Sequence, residues 1–268
     1  GSPVVSGSVG STSSNGTQVQ IVENDNPAAT GITLGGYIST TDGRVLVNGP
    51  VTLASDLAID TSINDSGNGA PINFSSTIDA SDAGKQSLSL NAGPENAVTL
   101  NGAVGDGTPL GKVSITGGCA NCQDSYVTGL YLDGDITTKN GTISIDAPTM
   151  VENSVTIATV GDSGTGADIV FSAKALVQAD PANNESPPPN FAANAGVGAI
   201  TIGAPLGLFD SLGAVTLTGD RVNLGADIYA TGNNVIIQGP TATATQLVLF
   251  GGTNGNGNFD PQINTSCD

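Results

Sequence analysis

The stretch ITLGGYISTTDGRVLVNGPVTLASDLAIDT, residues 32–61, recurs in altered form as LYLDGDITTKNGTISIDAPTMVENSVTIAT, residues 130–159. The two segments align without a gap at an offset of 98 residues, so that Ile38 falls on Ile136. Apolar residues, glycines and prolines coincide along the alignment. Internal repetition of this kind is the signature of an array of similar structural units. The repeat is therefore the feature from which the fold has to be predicted.

The repeat continues beyond these two segments. DSGNGAPINF at residues 65–74 corresponds to DSGTGADIVF at residues 162–171, and the segment that starts at Val98 corresponds to the one that starts at Ile200. A third, partial copy begins near Val222. The chain is therefore interpreted as about two and a half copies of one long unit.

This repeat predicts the domain organisation. Residues 1–30 are interpreted as an N-terminal tag and lead-in segment, and residues 253–268 as a polar C-terminal tail. The repeat region spans residues 31–252, and its units are predicted at about 31–129, 130–221 and 222–252.

Short strands recur within each unit. Steps such as 45–47, 51–53 and 57–59 alternate apolar with small or polar residues, and glycine, asparagine or proline separates them. Strands this short become stable when similar strands stack above and below them and their inward side chains form columns. The sequence predicts an all-β protein, a right-handed parallel β-helix (solenoid) of about 2.5 long repeats. The alternative is a set of tandem β-sandwich domains, each about one repeat long.

The composition excludes several classes of function. The chain has 6 basic and 24 acidic residues, a formal net charge of −18, and no histidine. Such a charge repels nucleic acid, so no nucleic-acid partner is expected. The lack of histidine excludes a Ser-His-Asp triad and a histidine-containing zinc site. No apolar run reaches the length of a membrane span, so none is expected in this fragment.

The repeat phrases ISTTDGRVLVNGPVTL and LYLDGDITTKNGTISIDAPTM resemble the long repeats of large secreted bacterial adhesins, the filamentous-haemagglutinin-like exoproteins. The resemblance implies a β-helical shaft, export to the cell surface, and a structural role in attachment or cell–cell contact. It implies as partners a surface protein or glycan of a host or neighbouring cell, together with flanking repeats of the same chain. From the residues themselves we expect no enzymatic activity and no cofactor other than calcium.

Three polar segments are candidates for calcium. Asp65 and Asp162 occupy equivalent DSG turns of the repeat, where carboxylates at a corner could bind an ion. The same turns resemble the paired Asp-Ser/Thr-Gly turns of aspartic peptidases, but their neighbours match throughout a long repeat, which favours a structural corner. The tail offers oxygen ligands at alternate positions, namely Asn254, Asn256, Asn258 and Asp260.

The chain has three cysteines, Cys119, Cys122 and Cys267. A C-x-x-C pair is found in redox motifs, in half of a zinc site and in small disulfide-closed loops. A second such pair and a thioredoxin-like context are missing, so we predict a structural disulfide between Cys119 and Cys122. Cys267 is then left over, unless it pairs with one of the other two.

An alternative function is a carbohydrate-binding or polysaccharide-processing β-helix. Such enzymes use clustered Asp, Lys or Arg side chains on an exposed face. Asp133 and Asp135 are the carboxylate pair that would serve it, and a solvated strand end is the simpler interpretation of both. No catalytic residue is assigned.

Overall fold

The computed structural model describes most of the repeat region and parts of both ends. The described residues are 4–5, 8–11, 18–22, 31–63, 68–118, 129–159, 161, 165–181, 187–231, 235–240, 246–249 and 263–264. Their regular structure is β-strand throughout, without an α-helix among them. No described segment has the length and apolarity of a membrane-crossing helix.

The strands are mostly short. In chain order they are β1 (Val4–Val5), β2 (Ser8–Ser11), β3 (Val19–Val22), β4 (Ile32–Thr40), β5 (Val45–Asn48), β6 (Val51–Asp60), β7 (Ile72–Phe74), β8 (Ile78–Ala80), β9 (Ser87–Asn91), β10 (Val98–Leu100), β11 (Lys112–Thr116), β12 (Leu130–Leu132), β13 (Ile136–Thr137), β14 (Ile143–Asp146), β15 (Thr149–Val151), β16 (Val155–Ala158), β17 (Ile169–Phe171), β18 (Val177–Ala179), β19 (Phe191–Ile202), β20 (Val215–Leu224), β21 (Ile228–Tyr229), β22 (Val235–Gln238), β23 (Gln246–Leu249) and β24 (Ile263–Asn264).

The strands form three faces, and every pairing between named strands is parallel. Face 1 contains β1, the first halves of β4 and β6, β8, the single residue Val104, β13, β16, the first halves of β19 and β20, and β22. Face 2 contains β2, the second halves of β4 and β6, β9, β11, β14, β17, the second halves of β19 and β20, and β23. Face 3 contains β3, β5, β7, β10, β12, β15, β18, the single residue Leu206, β21 and β24.

The chain visits the three faces in the same order each time, and one passage through them is here called a rung. Among the described residues each face receives ten contributions, and these define ten rungs. At a strand separation of about 4.8 Å, the described rungs span roughly 45 Å along the axis. Consecutive strands lie on different faces and pair with the rungs above and below. The predicted parallel β-helix is therefore confirmed, and tandem sandwiches do not fit this pairing.

Inward side chains form continuous columns. On face 2, Ile38 pairs with Ile59, and the column continues through Leu90, Ile115, Ile145, Phe171, Ile202 and Leu224. Each of these side chains is at most 1% exposed. Fully burying one such side chain stabilises a fold by about 1.5–3 kcal/mol, so the columns supply the main driving force for stacking.

The strands within residues 1–30 also belong to the solenoid. Val4 pairs with Thr33, and Val19 pairs with Val45. β1, β2 and β3 thus form the first rung, beneath the rung made by β4 and β5. The division of the chain into a lead-in, three units and a tail stays a prediction.

The sequence repeat does not correspond to a whole number of rungs. Ile38 lies on face 2 of the second rung, whereas its sequence equivalent Ile136 lies on face 1 of the sixth. Phe74 lies on face 3, and its equivalent Phe171 lies on face 2. One repeat therefore carries the chain forward by four rungs less one face. Each corner of the first copy reappears in the second copy at the preceding corner.

Candidate functional site

Most of the predicted site residues lie outside the described residues. These are Asp65, Asp162, Cys119, Cys122, Cys267, Asn254, Asn256, Asn258 and Asp260. Calcium binding and the disulfide therefore stay predictions. Within the described ranges, no group of three or more His, Cys, Asp or Glu side chains is placed to hold a metal ion.

The described residues that flank the two DSG turns form matching necks. The hydroxyl of Thr61 donates to the Ala70 carbonyl over 2.8 Å and accepts from the Ala70 N–H over 3.0 Å. Thr159 makes the same pair of bonds with Ala167, over 2.6 and 3.0 Å. Both threonines are fully buried. Each loop is therefore closed at its base by one buried hydroxyl that satisfies two backbone groups.

On the rung before each neck, a tight turn supports the loop. Asp42 and Asn140 have φ of 54° and 59°, the left-handed region that asparagine and aspartate tolerate better than other side chains. Oδ1 of Asp42 accepts from the Gly69 N–H over 3.0 Å, and Oδ1 of Asn140 accepts from the Thr165 hydroxyl over 2.7 Å. The side chain of each turn thus holds the loop of the following rung.

On the rung after each neck, an asparagine completes the arrangement. The Thr61 N–H donates to the Asn91 carbonyl over 3.0 Å, and the Thr159 N–H donates to the Asn194 carbonyl over 3.0 Å. Each asparagine side chain accepts from the backbone N–H two residues later, at 3.1 Å in both cases. We call Asp42, Thr61 and Asn91 corner ladder 1, and Asn140, Thr159 and Asn194 corner ladder 2. Ladder 1 lies between faces 2 and 3, and ladder 2 lies between faces 1 and 2.

A polar cleft of about 410 Å³ opens beside corner ladder 1. It is lined by Gln18, Asp42, Arg44, Ala70 and Pro71, which come from three successive rungs. The backbone fixes its walls, because the Arg44 carbonyl accepts from Val19 over 2.9 Å and the Pro71 carbonyl accepts from Val45 over 3.0 Å. We call this space the ladder 1 cleft.

Two side chains of the ladder 1 cleft carry charge toward solvent. Asp42 and Arg44 are both exposed. Within the described part of the chain, the Arg44 guanidinium forms neither an ion pair nor a hydrogen bond, and Asp42 uses only Oδ1. At the corresponding positions of ladder 2 the chain has Asn140 and Thr142, which are uncharged. Of the two ladders, only ladder 1 therefore carries this pair of opposite charges.

The predicted carboxylate pair connects neighbouring rungs. Oδ1 of Asp133 accepts from the side-chain amide of Asn153, and Oδ1 of Asp135 accepts from the Thr156 N–H over 2.7 Å. Each carboxylate therefore makes a structural contact with the next rung. A role for the pair in carbohydrate chemistry stays a prediction.

The carboxyl of Asp210, where face 3 meets the connection to face 1, has a shifted pKa. The Asp210 carbonyl accepts from the Ala179 N–H over 3.2 Å, and its Oδ2 atom is buried without a hydrogen-bond partner among the described residues. Burial raises the pKa of the Asp210 carboxyl above its ordinary value of 3.8, and the charge of Asp180 raises it further. Burial and the charge of Asp60 likewise raise the pKa of the Tyr37 phenol.

Reasoning from sequence missed the ladders and the cleft, although part of the signal was present. Thr61 aligns with Thr159 and Asp42 with Asn140 at the repeat offset. The recurrence of a threonine next to the apolar alternation indicates a buried hydroxyl that holds a loop. No comparable signal marks Gln18 as a neighbour of Pro71.

Comparison with known proteins gives no relatives: no family model, curated protein or solved structure matches this chain.

Proposed function

We propose that this chain is a structural and adhesive segment of a secreted or cell-surface bacterial adhesin. In this proposal a rigid β-solenoid shaft mediates attachment to a host cell or contact with a neighbouring cell. The resemblance of the repeat phrases to filamentous-haemagglutinin-like exoproteins supports the class. The observation that carries the proposal is the unbroken stacking of inward columns through successive rungs.

The columns explain how such a shaft resists bending and extension. On face 3, Val47, Phe74, Leu100 and Leu132 stack in register and are each at most 1% exposed. Backbone hydrogen bonds between rungs run along the axis, so separating two rungs breaks many bonds together and exposes apolar surface to water. A load along the axis is therefore shared by all three faces.

The outer surface of the shaft is compatible with a spacer that carries binding loops. On face 2 the outward positions of successive rungs include Ser89, Ser114 and Ser144, which are small and polar. The net charge of −18 opposes nonspecific association. We expect selective contact to come from loops at the corners. The proposed partners are a surface protein or glycan of another cell and flanking repeats of the same chain.

Attachment of coated beads tests the proposal. Beads that carry the purified chain should be retained on cultured epithelial cells or on a bacterial lawn more strongly than beads that carry an unrelated protein of similar charge. The core variant Ile115→Asp places an unpaired charge in a fully buried column and should lose retention together with the fold. Equal retention of chain-coated and control beads on every surface would remove the adhesive role.

The carbohydrate alternative makes a different prediction, which is tested by incubating the chain with polysaccharide. If the chain processes a polysaccharide, incubation releases reducing ends, and the release is lost in the Asp133→Asn, Asp135→Asn double variant. The adhesive shaft predicts no release of reducing ends, and such release would overturn it.

A further inference from the structure

The ladder 1 cleft brings opposite charges together in a chain that has few positive ones. Asp42 and Arg44 are separated by one residue, and both line the same cavity. The whole chain has 6 basic residues against 24 acidic ones. An exposed arginine that spends no donor within the described structure is available to a ligand from outside.

The two charged groups differ in the partners they accept. The Arg44 guanidinium presents planar donors that fit a carboxylate in a two-point contact. The Asp42 carboxylate has its Oδ1 held by the Gly69 N–H, and within the described residues its Oδ2 makes no hydrogen bond. That oxygen can accept from an ammonium group. Because the turn at Asp42 and the neck at Thr61 hold the backbone, the acceptor is positioned before any ligand arrives.

The rest of the cleft limits the size and charge of a ligand. Its volume of about 410 Å³ lies in the lower part of the range of small-molecule sites. Ala70 and Pro71 supply a short apolar wall, and Gln18 supplies one amide. A net charge of −18 repels an anion at a distance but exerts little net force on a molecule whose charges balance.

We propose that the ladder 1 cleft binds a small zwitterion, a molecule with a carboxylate for Arg44 and an ammonium group for Asp42, such as a free amino acid. This inference goes beyond the adhesive role and does not depend on it. Corner ladder 2 has the same backbone hydrogen bond from its threonine N–H to its asparagine carbonyl, but it carries Asn140 and Thr142 and so lacks both ligand contacts.

Amide NMR titration of the isotope-labelled chain with L-alanine tests the site. Saturable shifts are expected at Arg44, Val45 and Gly69, and none at the ladder 2 residues. N-acetylalanine lacks the ammonium group and alaninamide lacks the carboxylate, so each should bind at least tenfold more weakly than alanine. D-glucuronate, an anion without an ammonium group, should also bind at least tenfold more weakly.

Matched variants separate the site from general charge effects. Arg44→Thr and Asp42→Asn, which copy the residues of ladder 2, should each weaken alanine binding at least tenfold. Lys112→Thr and Asp106→Asn make the same changes of charge elsewhere and should leave binding unchanged. Arg44 is exposed, so the Arg44→Thr variant is expected to fold like the parent by circular dichroism.

The contradicting results are equally specific. The absence of a saturable shift up to the solubility limit of alanine would overturn the site. Equal affinity for alanine and N-acetylalanine would remove the role of Asp42. Tighter binding of glucuronate than of alanine would replace the zwitterion with an anion. Unchanged binding in Arg44→Thr would place the site elsewhere.

Discussion

Corner ladders 1 and 2 share their neck and asparagine hydrogen bonds at two different corners of the solenoid, and they differ in the loop donor, which is the Gly69 N–H in ladder 1 and the Thr165 hydroxyl in ladder 2. In each, a residue of positive φ supports a loop, a buried threonine closes its neck, and an asparagine of the next rung accepts from that threonine. The corners differ because the repeat advances one face short of four rungs. Equivalent residues of the two copies thus form the same arrangement over three rungs, although the two corners lie between different pairs of faces. What varies between the copies is the charge that the corner presents to solvent.

The largest difference between the copies is expected in the unfolding free energy lost when equivalent core side chains are truncated. Phe171 packs edge-to-face on Phe191, with ring centroids 5.6 Å apart and an interplanar angle of 75°. Its sequence equivalent Phe74 is equally buried and has no ring contact among the described residues. We expect Phe74→Ala to cost about 3–5 kcal/mol of unfolding free energy. Phe171→Ala should cost about 0.5–1.5 kcal/mol more, because it also loses the aromatic pair.

Chemical unfolding of the two phenylalanine variants measures this difference, and Phe191→Leu serves as a control that removes the ring pair but keeps most of the buried volume. A Phe74→Ala variant that is less stable than Phe171→Ala would show that the ring pair does not set the order.

The necks of the two loops should behave alike. Thr61→Val and Thr159→Val keep the shape of the side chain but leave the N–H and carbonyl of Ala70 or Ala167 without their partner. We expect each substitution to cost about 1–3 kcal/mol, and the two effects to be additive because the sites are separated by several rungs.

Amide hydrogen exchange at Ala70 and Ala167 provides the local readout for the neck variants. Protection should fall at the neck that is changed and remain at the other. Loss of protection at both necks from one substitution would mean that the ladders are not independent units.

A smaller effect on stability is expected at Thr108 and its equivalent Asp210, where the two copies differ in charge. In the first copy, Oδ1 of Asp79 accepts from the N–H groups of Gly107 and Thr108, both over 2.9 Å. In the second copy the residue corresponding to Thr108 is Asp210, whose pKa is raised. A raised folded-state pKa means that the folded state holds the proton more tightly than the unfolded state. Stability from this group is present below the ordinary pKa of 3.8 and is lost as pH rises through the folded-state pKa.

Asp210→Asn should therefore stabilise the protein at neutral pH, and the gain should shrink as the pH is lowered toward 3.8. Thermal unfolding across this range measures the effect, and Asp106→Asn at an exposed position is the control. A gain that is constant with pH would assign the effect to something other than the titration of Asp210.

The fold could be predicted from the sequence because a parallel β-helix repeats the same local rule. Alternation at Val45 and Val47, a glycine or proline break, and recurrence of the phrase are all visible in one dimension. The number of faces was not visible, because strands of three residues joined by short connectors fit more than one cross-section. The displacement of the repeat by one face is visible only in the pairing of strands between rungs.

The candidate site was predictable only in part. The aligned threonines at 61 and 159 marked the ladders, but a hydrophobic pattern does not distinguish a buried hydroxyl from an exposed one. The ladder 1 cleft joins Gln18, Arg44 and Pro71 from three rungs, and their proximity depends on the stacking register. The predicted ion and disulfide residues fall in sequence segments without apolar alternation, which predict no strand register.

Parallel stacking of the rungs is tested most directly by nuclear Overhauser effects between backbone amides of β5, β6, β11 and β14. The parallel β-helix predicts contacts between Ser114 and Ser144, which pair on adjacent rungs of face 2, and none between β5 and the start of β6, which lie on different faces. Cross-strand contacts between β5 and β6 across Gly49 and Pro50, as an antiparallel hairpin would give, would contradict the solenoid and with it the two-corner comparison.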